Sequence, residues 1–194
     1  MKNRQAELVK QLTSQQLKQQ TWISQGLIAI IALIASWILF DDWSAFTSLF
    51  VWSLPSILLF GIGSALIIVL LDLLMMWLVP KTWWADGGIN EKLFREGSYL
   101  EIILLCMVVA FVEEWLFRGV IQTQFGLFVA SVLFALIHIR YLTKVALFTG
   151  VLILSFWLGF VYWWTDSLLV VIVLHFVVNV IQACIIRSGR VAIQ

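Results

Sequence analysis

The chain has 194 residues, 62% of them hydrophobic and 12% charged, with a formal net charge of +1 and a mean hydropathy of +1.02. Soluble domains are about half apolar and about a quarter charged, so this composition excludes an ordinary water-soluble fold and places the chain in a bilayer. A net charge this small says nothing about nucleic acid, and no basic run suggests such a partner.

Residues 1–21 are polar and glutamine-rich, with Lys2, Arg4, Lys10 and Lys18 against Glu7. They read as a cytoplasmic tail, at most a weak helix on the membrane surface. The stretch is too long and polar for a signal-peptide n-region. The apolar run at about 22–40 is long enough to cross ~30 Å of hydrocarbon. Asp41 and Asp42 end it, and an interfacial connection with Trp43 and Trp52 follows. A second span covers about 54–79 and stops at Pro80. Residues 80–97 form the longest interior polar loop, and further spans are expected at about 98–123, 127–141, 144–164 and 167–187. The domain reading is a tail at 1–21, two N-terminal transmembrane helices with a cytoplasmic loop at 22–97, a four-helix core at 98–187 and a short C-terminal tail at 188–194. The fold class is all-α, a polytopic membrane protein of about six helices.

The positive-inside rule orients it. Eleven of the twelve Lys and Arg fall in the tail, the 80–97 loop, the pair Arg140 and Lys144, and the pair Arg187 and Arg190. Asp41, Asp42 and Asp166 lie on the opposite side, so both termini are expected to face the cytoplasm. Cys106 and Cys184 fall in apolar runs and read as small buried hydrophobes. Trp83, Trp84, Trp163 and Trp164 read as interface anchors, and Gly61 and Gly63 as marks of close helix packing. Asp72 and Glu101 sit near cytoplasmic helix ends, where snorkelling or helix pairing suffices to explain them.

The twelfth basic residue, Arg118, lies within membrane depth together with Glu113 and Glu114, in the stretch Phe111-Val112-Glu113-Glu114-Trp115-Leu116-Phe117-Arg118. An ionisable side chain there costs about 2.5–3.5 kcal/mol on insertion scales, so something must compensate. Glu114 and Arg118 are i,i+4 neighbours and can pair. Glu113 points about 100° away and needs a partner from elsewhere, for which the two histidines are the candidates. The midpoint of Glu113 and His138 falls at the turn signal Gln124-Phe125-Gly126, so a hairpin puts both about 18 Å from its outer end. His175 and Asn179, counted from Asp166, come to roughly 14 and 20 Å. Glu113, His138, His175 and Asn179 can therefore converge at one level.

Glu113-Glu114-x-x-x-Arg118, Phe134-x-x-x-His138 and His175-x-x-x-Asn179, in that order on separate apolar helices, resemble the EExxxR, FxxxH and HxxxN motifs of the Abi/CPBP family. That family contains type II CAAX prenyl endopeptidases and bacterial proteins linked to bacteriocin self-immunity. The resemblance covers about 98–187. It implies that Glu113 and His138 activate a water, that His175 and Asn179 hold the oxyanion, and that Glu114 and Arg118 support them.

Amide hydrolysis does need a base for water and donors where negative charge develops. A metal-free glutamate mechanism with no cofactor is the favoured reading. Zinc held by Glu113, His138 and His175 is the alternative, although no H-E-x-x-H is present. The expected function is that of an intramembrane endopeptidase, a hydrolase acting on a membrane-embedded or lipidated peptide or protein in a bacterial cell membrane. The alternative is a non-proteolytic membrane protein whose buried polar cluster serves immunity, scaffolding or proton-coupled transport.

Overall fold

A computed structural model of the protein describes residues 11–142 and 144–189. Most of the polar tail (1–10) and the end of the C-terminal tail (190–194) lie outside the described residues. Six helices carry the architecture: α1 Ser14–Leu39, α2 Leu54–Leu78, α3 at 99–125, α4 Leu127–Ile137, α5 Val145–Thr165 and α6 Leu168–Arg187. The fold is all-α, with no strand among the described residues.

The helix ends follow from local chemistry. Thr13 and Gln16 form a capping box, each side chain accepting from the other's backbone N–H (3.2 and 2.9 Å). That cap starts α1 inside the stretch expected to be a polar tail, and residues 14–21 are its first turns rather than a separate surface segment. Ser98 and Ser167 cap α3 and α6, each hydroxyl accepting from the backbone N–H three residues on. Gly126, at φ +86°, makes the turn between α3 and α4 in a region of backbone space closed to most side chains. Asp42 caps the short helix Trp43–Thr47, and donors from Ser44 and from the Ala45 N–H hold its carboxyl below the usual carboxylate range.

Four helices, α1, α2, α5 and α6, are long and apolar enough to cross a membrane. Helix α3 has the length but carries Glu101, Glu113, Glu114 and Arg118. Helix α4 departs from the expected span at 127–141. It has eleven residues, about 16 Å, roughly half the hydrocarbon thickness. It stops because His138 leaves helical geometry (ψ +50°) and a short 3-10 turn, Ile139–Tyr141, follows.

Helix α6 is the centre of the bundle. Leu168, Val170, Val171 and Leu174 are fully buried, packed with Ile57, Ala65 and Val69 of α2 and Leu158 and Val161 of α5. A side chain on Gly61 would meet Val173 of α6 at 3.3 Å, so this glycine does mark close packing, whereas Gly63 would touch only a carbonyl of its own helix. Trp163 and Trp164 are exposed, but Trp84 is 3% exposed and packs on Ile186, its Nε1 donating to the Val79 carbonyl. Trp84 is a core residue because the 80–97 loop folds back under α6. The two carboxylates at helix ends pair helices: Glu101 with Lys18 of α1 at 3.0 Å, and Asp72, through a short hydrogen bond, with Gln182 of α6.

Candidate active site

Helix α3 changes pitch where its charges are. It is α-helical through Glu114 and π-helical over Trp115–Gln122, the wider i→i+5 turn that recurs at functional sites. Glu113 and Glu114 sit on the last α-helical turn and face different neighbours, and both are buried.

Glu114 faces the core. Its Oε1 accepts from Arg118 Nη1 at 3.0 Å and from His175 Nδ1 at 2.7 Å. Arg118 is wholly buried, and its Nη2 donates to both the carbonyl and the hydroxyl of Ser155 on α5 (2.9 and 3.0 Å). Ser155 and Ser131 of α4 in turn exchange hydroxyl-to-carbonyl bonds (3.0 and 3.3 Å). Four helices are thereby locked around one carboxylate and one guanidinium. Neither serine belongs to a motif.

The Phe134 ring is the hub of the other half. The Arg118 guanidinium lies 4.5 Å over its centroid, and the rings of His138 and His175 lie 4.8 and 6.0 Å from it. Both histidines are thus brought to one aromatic side chain. His138 is not on a helix face as expected. It is the residue past the end of α4, and its Nδ1–H donates to the Phe134 carbonyl at 2.8 Å. Tyr141 stacks beside it, 6.1 Å between centroids. A carbonyl and a carboxylate can only accept, so each histidine commits Nδ1–H to the protein. Asn179 stands one turn beyond His175 on α6, half-buried.

Glu113 had two histidine candidates, of which His175 is taken by Glu114. Glu113 Oε1 accepts from Nε2 of Gln25, on α1, at 2.9 Å, with both residues buried. The sequence reading missed Gln25. Its signal was a lone amide in the 22–40 run, seven residues from both Lys18 and Ala32, which marks the face of α1 that packs on α3.

No three His, Cys, Asp or Glu side chains are grouped as a metal centre requires, among the described residues. Of the zinc set Glu113, His138 and His175, the first and last are tied to different partners, Gln25 and Glu114, so the set does not fit a metal centre. The orphaned buried polar atoms nearby are Gln25 Oε1, Glu114 Oε2 and Arg118 Nε, and none of these is a cluster of ligands.

Residues 95–181 match the family described as type II CAAX prenyl endopeptidase Rce1-like. The uncharacterized protein YpbD of Bacillus subtilis (strain 168) is 41% identical over 171 residues, which is 87% of this chain and 89% of that one. No solved structure matches. The match encloses all three motifs, with the buried carboxylates and the two histidines. The chain belongs to the Abi/CPBP family of Rce1-like CAAX prenyl endopeptidases.

Proposed function

We propose that this protein is an intramembrane endopeptidase that hydrolyses a peptide bond of a membrane-embedded or lipidated substrate through a water activated by Glu113 and His138. The observation that carries the reading is the division of labour between adjacent carboxylates. Glu114 is occupied by a guanidinium and an imidazole, whereas the one hydrogen bond Glu113 receives among the described residues comes from a neutral amide. A carboxylate neutralised by Arg is a poor base, while one facing an amide keeps a lone pair for a proton.

Glu113 takes a proton from water as the oxygen bonds to the scissile carbonyl carbon. Nε2 of His138, in the imidazolium form that keeps Nδ1–H on the Phe134 carbonyl, donates to one lone pair of that water and orients it. The oxyanion forms against His175 and Asn179. Donation from His175 Nε2 requires its imidazolium form, for which Glu114 is the counter-ion at 2.7 Å. The C–N bond then breaks, and the proton held by Glu113 passes to the leaving amine. Six membrane-embedded helices with both termini in the cytoplasm, in a bacterial cell membrane, fit this assignment. Lys18, Lys92, Arg95 and Arg187 meet at one end of the bundle, and the Ser167–Val51 and Leu168–Leu49 contacts close the other.

The test is mass spectrometry of new N-termini. Membranes from cells lacking the protein are incubated with purified wild type or Glu113→Gln in liposomes. Peptide termini that appear with wild type and not with Glu113→Gln support the peptidase reading. Equal sets from both would overturn it in favour of the non-proteolytic alternative, in which the cluster serves immunity, scaffolding or proton transfer.

A further inference from the structure

We infer that Gln25, on α1 and outside all three motifs, is part of the hydrolytic site. Its amide N–H fixes Oε1 of Glu113, and its carbonyl accepts one hydrogen of the attacking water. The inference rests on the peptidase reading of Glu113.

Helix α1 meets the bundle along a single seam of Leu17, Lys18, Gln25, Ala32 and Ser36. Residues beside Gln25 face outward, Ile23 at 65% and Leu27 at 58% exposure, while Gln25 itself is 5% exposed. The seam is already fastened on both sides of Gln25. Lys18 bonds to Glu101 and to the Glu96 carbonyl, and Trp115 Nε1 donates to Ser36 at 3.0 Å. Docking therefore does not call for an amide in the middle.

Magnitudes separate an interhelical bond from a working group. A side-chain hydrogen bond between membrane helices stabilises only weakly. The carbonyl oxygen of the same amide, Gln25 Oε1, is buried with no protein donor, and an unmatched buried acceptor costs more than such a bond contributes. As a helix fastener the residue is a net loss, so the orphan oxygen points to a donor that arrives with the reaction. Oε1 and Nε2 share one carbon, so a water donating to Oε1 lies beside the carboxylate that Nε2 holds. One O–H then points at Gln25, the other at Glu113, and a lone pair is left for the carbonyl carbon. The proton goes to Glu113 and the oxygen to carbon, and Gln25 is unchanged.

The experiment compares wild type, Gln25→Met, Gln25→Asn and Lys18→Met in liposomes, reading initial rates of new N-termini against the amount of added membrane from cells lacking the protein. Gln25→Met keeps the bulk of the side chain without the amide, and its kcat is expected to fall about 10–100-fold, a part of the about 10²–10⁴ that base catalysis contributes, with KM within about twofold. Gln25→Asn withdraws the amide by one methylene and is expected to lose kcat in the same direction. It carries the test alone if Gln25→Met does not reach the membrane. Lys18→Met loosens the same helix and is expected to keep wild-type kcat per folded molecule. A Gln25 variant with wild-type kcat, or one that changes KM alone, would overturn the role of Gln25 while leaving Glu113 in place. Absence of cleavage by wild type would overturn the peptidase reading, and this role with it.

Discussion

Removing the guanidinium of Arg118 tests the most buried interaction in the molecule. Arg118 makes three hydrogen bonds, one to Glu114 and two to Ser155, and covers the face of Phe134. Polar contacts between membrane helices contribute about 0.6 kcal/mol each and at most about 1.7, so the three bonds give roughly 2–5 kcal/mol. Breaking a buried ion pair from one side costs about 3–5 kcal/mol, because the remaining charge is left uncompensated. The two routes agree on a loss of about 3–5 kcal/mol for Arg118→Met, a large share of the 5–15 kcal/mol typical of a folded domain. Unfolding in bicelles, followed by the fluorescence of the chain's eleven tryptophans, would measure it. Glu114→Gln in the Arg118→Met background removes the stranded charge, so the double variant should be more stable than Arg118→Met alone by about 1 kcal/mol or more. A single-variant loss under about 1 kcal/mol, or a double variant less stable than the single, would refute the reasoning.

A Cβ on Gly159 would stand 3.0–3.1 Å from Gln122 Oε1, Leu127 and Ser131 Oγ, so Gly159→Val should destabilise by about 1–3 kcal/mol through overpacking. Gly150→Ala, with nothing within 4 Å, should be neutral or stabilising by about 1 kcal/mol in the same unfolding assay. His175→Ala and Asn179→Ala should each reduce turnover about 10²–10³-fold, the usual effect of deleting one oxyanion donor. Cleavage should persist after exhaustive chelation, and activity that vanishes with chelator and returns with zinc would replace the glutamate mechanism with a metal one. A thiol label at Lys81→Cys and tags at residues 1 and 194 should be reachable only from the cytoplasmic side of intact cells, and labelling of any of them from outside would invert the topology.

The sequence determined what depends on composition and local periodicity. Mean hydropathy placed the chain in a bilayer, the apolar runs marked the long helices, and i,i+4 spacing paired Glu114 with Arg118. Gln124-Phe125-Gly126 marked a turn because only glycine accepts the positive φ found there. Three spaced motifs sufficed to identify the family. What remained hidden depends on which side chains other helices present. Nothing local to Glu113 says that its donor is an amide 88 residues away, or that Ser155, itself bonded to Ser131, would accept from Arg118. An apolar run reads as a span whether or not it stays helical to its end, so His138 was placed on a helix that in fact stops one residue short of it. Trp84 looked like an interface anchor because it stands near a helix end, and only the fold of its loop beneath α6 buries it. Partner choice for buried polar groups is a property of packed helices, where an unmatched donor or acceptor costs more than any local preference supplies. It is decided when α1, α4, α5 and α6 close around α3.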